Sequence, residues 1–417
     1  MQQTQYLIVG ASHAALAAVQ AIRMHDETGS VTVISKDDAL PYSPTVLPYV
    51  VSGRSDPQKV FLRNEDYFLQ HKVDYLKGVS VTGVAASDNR VSLSNGAGIS
   101  YEKLLLATGA APQLPPIPGL DTVEFHVLRS LDDALRLRQA LGTTRQAIVL
   151  GAGLVGMHAA ENLAKGGAQV TVVEMQPTVL AGYFDHDAAS IIESAFTAKG
   201  VRLLMGNKVV KLAPGEQGKG ACVTLADGTE LQADLLLVST GVTPVMDYLQ
   251  GSGAQTDRGI VVDDTMRTSI GNIWAAGDVA QARGFYDGAK IINGILPDAV
   301  EQGKIAGMAM AGDPAIRNYP GGVPLNTYTF FGQQAVSVGS QNEGEAVALE
   351  IDAPNKRYLK IVMKDDRLTG IFGINAAFDP GVMWQLILRR TDLAPLRDQF
   401  LADPQRTARV LMSKTWR

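Results

Sequence analysis

The triplet Gly151-x-Gly153-x-x-Gly156 stands directly after an apolar run, Ala147-Ile-Val-Leu150, and opens a helical stretch that continues to about Lys165. That placement suits pyrophosphate binding. The first glycine permits a tight turn, the second lets backbone N–H groups approach the phosphates, and the third lets helix and strand pack closely. The next strand, Gln169-Val-Thr-Val-Val, ends at Glu174. A carboxylate there accepts hydrogen bonds from both hydroxyls of an adenosine ribose and repels a 2′-phosphate, and Met175, Gln176 and Pro177 supply no arginine to receive one. The pattern points to NAD(H) rather than NADP(H), held by Gly151, Gly153, Val155, Gly156, Glu174 and, at a later turn, Gly241.

An earlier loop departs from this pattern. After the strand Tyr6-Leu-Ile-Val9 comes Gly10-x-Ser12-x-x-Ala15, with Ser12 in the second glycine place and Ala15 in the third. Alanine is small enough for the third place, and Ser12 adds a hydroxyl near the phosphates. His13 lies inside this loop and reads as a spacer rather than a base. The following strand ends Ile34-Ser35-Lys36-Asp37, so ribose contact would fall to Ser35, Lys36 or their neighbours.

These loops need elements to hold them, and the elements repeat. Two strand–turn–helix–strand units begin about 140 residues apart. Each closes on a buried strand that runs into a glycine turn, Leu104-Leu-Leu-Ala107-Thr108-Gly109 in the first and Leu235-Leu-Leu-Val-Ser-Thr240-Gly241 in the second. Pro112 to Pro118 reads as a crossing between domains. Asn272-Ile-Trp-Ala-Ala-Gly277-Asp278 precedes a helix expected over Pro297 to Met310, and from about Asn318 short alternating strands lead to a helix around Val382 to Leu388. The fold class is α/β: two doubly wound dinucleotide-binding domains plus a C-terminal α+β interface domain.

Composition narrows the chemistry. The 417 residues include 42 glycines and one cysteine, Cys222. A single thiol excludes an internal disulfide, a redox pair or a cysteine-built metal centre within the chain, so redox work requires a bound cofactor. Cys222 falls before the hairpin signal Asp227-Gly228 and reads as an inert strand residue, and no metal site is expected. A net charge of -5 without a basic stripe disfavours nucleic acid. No apolar run approaches the length of a transmembrane segment, and the N-terminus lacks a leader, so a cytoplasmic setting is expected. Met383-Trp384 reads as core packing at helical spacing rather than a partner-facing anchor.

The ordered set Gly10-x-Ser12-x-x-Ala15, Ala107-Thr108-Gly109, Gly151-x-Gly153-x-x-Gly156 with Glu174, Thr240-Gly241 and Ala275-Ala-Gly277-Asp278 resembles the FAD-dependent pyridine nucleotide-disulfide oxidoreductases, which include NADH oxidases and ferredoxin or rubredoxin reductases. The resemblance spans residues 1 to about 312 and implies FAD as well as NAD(H). It implies an FAD domain over 1–113 and 241–317, an NAD domain over 114–240 and an interface domain over 318–417, through which a homodimer could form. Gly10, Ser12, His13 and Ala15 would lie at the FAD pyrophosphate and Val81 against the adenine. Ala107, Thr108, Gly109 and Gly277 would line the site, and Asp278 would bond the ribityl chain. Pro297 and Ala299 would stand where a helix start points at the flavin ring, stabilising the negative charge that reduction creates there.

The departures from the family carry mechanism. Thiol-using members place a reactive cysteine before Leu-Pro-Tyr, whereas Leu47-Pro48-Tyr49 follows Thr45-Val46, so Thr45 stands in the cysteine's place. A hydroxyl forms no thiolate or disulfide, which disfavours thiol-dependent reduction. Leu40-Pro41-Tyr42-Ser43 matches a rubredoxin-reductase element with Pro44 replacing its arginine, and Tyr49 falls where those relatives carry a lysine near the flavin. His158 replaces a glutamate near the nicotinamide and reads either as a cofactor contact or as a hydrogen-bonded helix residue. The chemistry is flavin-centred, with Thr45, Tyr49 and His158 as candidate contributors.

The expected activity is exchange of electrons between NADH and an iron–sulfur protein or larger redox enzyme complex, by hydride transfer between nicotinamide and flavin. Leu40 to Val50 and Glu301 to Gly307 look most similar to NAD-reducing flavoprotein subunits of anaerobic aromatic-acid or aldehyde oxidoreductase complexes. The alternatives are a free-standing NADH oxidase using dioxygen or quinone and a slowly reduced NADH-sensing flavoprotein.

Overall fold

The computed structural model describes residues 2–215, 220–352 and 354–415. The chain divides into two compact units. The first comprises Met1–Val46, Ser55–Ala111 and Val242–Gly322; the second comprises Leu47–Arg54, Pro112–Gly241 and Val323–Arg417.

The first unit is built on a seven-stranded sheet. Val73–Leu76, Val31–Ile34, Gln2–Val9 and Gly98–Leu106 run parallel in that order, and Ile273–Ala275 pairs parallel to the end of Gly98–Leu106. The antiparallel strands Val81–Ala85 and Arg90–Leu93 complete the sheet. Successive residues of a strand face opposite sides, and Leu104, Leu105 and Leu106 are all fully buried, so both faces are covered here. Val9 stands opposite both Ile34 and Leu106, and Leu106 opposite Ala275. The residues that follow these four strands therefore emerge together at the carboxyl edge, where open α/β sheets bind ligands.

Helices His13–His25 and Leu296–Ala311 approach through small residues. A Cβ at Gly303 would lie 2.1 Å from the Ala14 carbonyl oxygen, and one at Gly307 would lie 2.6 Å from that of Ala18. Main chain meets main chain at both positions, leaving no room for a side chain.

The second unit contains a four-stranded parallel sheet in the order Arg202–Leu204, Gln169–Val173, Gln146–Leu150, Leu235–Val238. Leu150 stands opposite both Val173 and Val238, so the second glycine loop, Glu174 and Ser239 also leave one edge. Beside it lies an antiparallel sheet of Val209–Pro214, Ala221–Leu225 and Glu230–Ala233. Residues after 323 form a five-stranded antiparallel sheet from Leu325–Phe330 to Arg367–Ile374, followed by helices Pro380–Leu388, Arg397–Ala402 and Pro404–Thr415. Two polar ties hold this sheet to the helices of the same unit. Tyr358 Oη and Lys360 Nζ donate to Asp185 Oδ2 at 2.5 and 3.1 Å, and the Phe331 N–H donates to Glu161 Oε1 at 2.7 Å.

Candidate functional site

In the second glycine loop the three glycines have separable physical roles. Gly151 takes φ +102°, and a Cβ there would stand 2.4 Å from the Ser239 carbonyl oxygen. A Cβ on Gly156 would lie 2.0 Å from the Gly151 carbonyl oxygen, so helix and strand pack with no side chain between them. Gly153 differs: its φ is -74°, and a Cβ would meet nothing within 4 Å. The fold does not require glycine there, but the space in front of it suits a ligand that approaches the main chain. Exposed Val155 and Met175 adjoin the loop and the next strand end in sequence.

Capping distinguishes these loops from four other helix starts. Helices Leu131–Leu141, His186–Thr197, Pro380–Leu388 and Pro404–Thr415 begin with Ser130, Asp185, Asp379 and Asp403 side chains accepting backbone N–H groups. The helices after the two glycine loops, His13–His25 and Leu154–Lys165, have no side-chain cap and no acid in the first turn. Their first N–H groups are left for an anion, the arrangement found at nucleotide phosphates.

Glu174 is half-buried, and its two carboxylate oxygens accept the Ala152 and Gln176 N–H groups at 2.8 Å each. It thus braces the loop while keeping lone pairs for further donors. Ser239, not singled out in the sequence, donates to the Leu150 carbonyl at 2.9 Å and fixes the same turn; its signal was the Ser-Thr-Gly step after the strand. Gly241 takes φ +114°, and neighbouring Thr240 donates to the Gln113 carbonyl at 2.8 Å.

The first loop repeats the scheme. Gly10 has φ +112°, and a Cβ there would lie 2.1 Å from the Ala107 carbonyl oxygen. Ala15 is buried, and Ser12 occupies the N-cap with its hydroxyl 3.5 Å from the Tyr42 carbonyl. Thr108 donates to the Val245 carbonyl at 3.0 Å and bonds buried Tyr248 at 2.9 Å, holding the turn at Gly109. Gly277, at φ +80°, brings its backbone to Ala14 and Ala299, with an added Cβ 3.4 and 3.7 Å from theirs, and gives its N–H to Gln302 Oε1 at 2.9 Å. Asp278 is half-buried and acts electrostatically on His13. The structure thus gathers Gly10, Ala15, Ala107, Gly277 and Ala299 at one edge of the first sheet.

Ser35 is buried, with its hydroxyl accepting the Asp37 N–H at 3.2 Å, and Lys36 is exposed. Their neighbour Asp37 carries a carboxylate near this strand end that accepts Tyr42 Oη at 2.6 Å. Its sequence signal was an acid displaced by two residues. Val81 lies on the antiparallel part of the sheet, opposite Leu93 and partly buried against the core.

Helix Leu296–Ala311 has Pro297 in its first turn and no side-chain cap. Asp298 beside Pro297 is buried and accepts a hydrogen bond from Asn293. Burial pushes its carboxyl up to about 7; Glu301 acts in the same direction, and the nearby Tyr319 hydroxyl opposes them. When protonated, this acid leaves the positive end of the helix uncancelled. Stability should follow. Below the ordinary value of 3.8 the acid is protonated whether folded or unfolded; from there to about 7 the unfolded chain ionises first, so the stability Asp298 contributes falls as pH rises. Asp298→Asn is expected to raise the thermal midpoint by a few degrees at pH 8 and to leave it unchanged near pH 4. Parallel melting curves at both pH values check this, and equal shifts would refute it.

Thr45 belongs to the first unit, exposed and hydrogen-bonded to buried Ser43 at 2.8 Å. Tyr49 and His158 belong to the second, where their rings meet edge-on at 6.4 Å and His158 meets Tyr328 at 4.6 Å. Burial holds the His158 imidazole below its ordinary value, so it serves as a neutral ring between two tyrosines. Cys222 is half-buried in its strand, paired with Ala213 and Gln232. Met383 is buried, and Trp384 Nε1 donates to the Val323 carbonyl at 2.9 Å. Among the described residues, no group of three or more His, Cys, Asp or Glu could hold a metal ion, and no helix is long and apolar enough to cross a membrane.

Residues 4–304 match the family profile described as pyridine nucleotide-disulphide oxidoreductase. The chain is 57% identical, over 100% of its length and 99% of the relative's, to the NADH-dependent phenylglyoxylate dehydrogenase subunit epsilon of Aromatoleum evansii. It is 32% identical to an NADH oxidase of Methanocaldococcus jannaschii, over 75% of this chain and 71% of that one. The ferredoxin reductase for the CYP199A2 system of Rhodopseudomonas palustris superposes with a TM-score of 0.82 at 25% identity, covering 93% of this chain and 100% of the other.

Proposed function

Because the chain belongs to the pyridine nucleotide-disulphide oxidoreductase family, we propose that it is an FAD-dependent NADH:acceptor oxidoreductase, the electron-transfer flavoprotein subunit of a larger complex. Its redox partner is an iron–sulfur protein or subunit, and its setting is cytoplasmic. The proposal assigns FAD to residues 1–113 and 241–317, NAD(H) to 114–240 and an interface, through which the chain forms a homodimer, to 318–417. The observation that carries the reading is the pair of helix starts with neither a side-chain cap nor an acid in the first turn, each at the carboxyl ends of parallel strands, with Gly153 offering backbone that no side chain covers. The residues fit both groups.

When bound, the flavin accepts hydride from nicotinamide and releases the electrons singly, which suits iron–sulfur acceptors. The chain's task is to bind and orient. The first glycine loop and Asp278 hold one cofactor; the second glycine loop and Glu174 hold the other. Tyr49 supplies an aromatic ring and His158 a neutral one, so binding geometry and the helix dipole of Leu296–Ala311 carry most of the catalysis. With Thr45 in the cysteine's place, electrons leave for an external acceptor, a reading supported by the likeness to a dehydrogenase subunit and a ferredoxin reductase.

Anaerobic stopped-flow mixing of the FAD-loaded chain with NADH is expected to bleach the flavin, and turnover is expected only when an iron–sulfur partner is added. A flavin that stays oxidised would overturn the proposal, and rapid NADH consumption in air by the chain alone would replace it with the oxidase reading. Glu174→Ala is expected to lower kcat/KM for NADH about tenfold, the value of a hydrogen bond to a charged group, and to narrow the preference over NADPH. Initial rates with both coenzymes check this; an unchanged ratio would remove Glu174 from coenzyme selection.

A further inference from the structure

One polar chain is left unused by the functional reading. His13 Nε2 lies 2.9 Å from Ser43 Oγ, which lies 2.8 Å from Thr45 Oγ1. Ser43 is buried, His13 half-buried and Thr45 exposed, so the chain runs from the first turn of helix His13–His25 through a sealed hydroxyl to an open end. Each hydroxyl is both donor and acceptor, and a neutral imidazole has one nitrogen of each kind, as proton hopping requires. The hydroxyls are not needed to close the local turn, because the Val46 N–H already donates to the Ser43 carbonyl at 3.1 Å.

We propose that Thr45, Ser43 and His13 form a proton relay that carries a proton out of the flavin site as electrons leave singly. The relay rests on the flavin reading above. Each hydride from NADH brings two electrons and one hydrogen nucleus. Two one-electron acceptors, iron–sulfur centres by class, are each reduced by one electron, so one proton must depart. It passes to His13 Nδ1 as the His13 Nε2 proton moves to Ser43 Oγ, the Ser43 proton moves to Thr45 Oγ1, and exposed Thr45 releases its own proton to solvent. Only O–H and N–H bonds form and break.

The surroundings of His13 suit a transient carrier. Burial holds its imidazole below the ordinary histidine value, Arg63 acts in the same direction, and Asp278 opposes them. The ring therefore rests neutral, ready to accept, with a carboxylate near enough to offset a passing positive charge.

The test uses the FAD-loaded protein and its Ser43→Ala, Ser43→Thr and His13→Gln variants. Each is reduced anaerobically with one equivalent of NADH, then mixed with ferricyanide, a one-electron oxidant that takes no proton, in weak buffer containing a pH-indicator dye. In the wild type, flavin oxidation and proton release are expected to coincide and to slow together in D2O. Ser43→Ala and His13→Gln are expected to slow both by about tenfold or more and to lose the D2O effect, while Ser43→Thr restores them. An NMR titration of His13 in the oxidised protein gives a readout independent of turnover, its midpoint moving in Ser43→Ala. Oxidation, proton release and D2O slowing equal to wild type in Ser43→Ala would overturn the relay. Failure of NADH to bleach the wild-type flavin would overturn the functional reading instead.

Discussion

Gly153→Ala is expected to fold with nearly wild-type stability yet bind NADH about a hundredfold more weakly. An added methyl meets nothing within 4 Å, and the backbone angle of -74° suits any L-residue, so stability should change only by the few tenths to about 1 kcal/mol that separate glycine and alanine at an N-cap. In the complex the same methyl would stand between phosphate oxygens and the first N–H groups of helix Leu154–Lys165. Losing one or two charge-assisted hydrogen bonds there is worth about 3 kcal/mol, or about a hundredfold in affinity. Gly156→Ala makes the contrast. Its methyl would lie 2.0 Å from the Gly151 carbonyl oxygen, main chain that has no rotamer to yield, so stability and affinity should fall together, the former by about 1–3 kcal/mol. Denaturant midpoints and NADH titrations of both variants decide the matter. Wild-type affinity in Gly153→Ala would mean that the open space before this loop is not a coenzyme site.

Gly303→Val should cost the protein its flavin. Its Cβ would sit 2.1 Å from the Ala14 carbonyl oxygen and 2.7 Å from the Ala14 carbonyl carbon, so helices His13–His25 and Leu296–Ala311 must separate or shift. That separation would act directly on the first glycine loop, since Ala14 and Ala299 both border Gly277, 3.4 and 3.7 Å from where its Cβ would stand. Overpacking against rigid main chain costs about 3 kcal/mol or more. The purified variant is expected to melt well below the wild type and to carry little flavin absorbance. Gly271→Ala is the control, because its Cβ meets nothing within 4 Å. Full flavin loading and an unchanged melting point in Gly303→Val would contradict this account of the helix pair.

The glycine loops, the strands before them and the acid at Glu174 were all legible in the residues, because each local feature needs only its own neighbours. An apolar run of about five residues followed by Gly-x-Gly specifies a strand end and a turn wherever the rest of the chain lies. Thr45 in the cysteine's place was equally readable, since a side chain's chemistry does not depend on the fold.

Tertiary structure decided the rest. It turned the Ser35 hydroxyl to its own loop and tied the Asp37 carboxylate to Tyr42. It assigned Leu47–Arg54 to the second unit, which pairs Tyr49 with His158. It also joined His13 to Ser43 and Thr45 across 30 residues of sequence, turning an apparent spacer into the end of a hydrogen-bonded chain. The residues by themselves determined which groups exist and which local turns they make. Which groups meet, and which are desolvated as Asp298 is, depends on long-range packing of buried surfaces, and no window of local sequence contains that information.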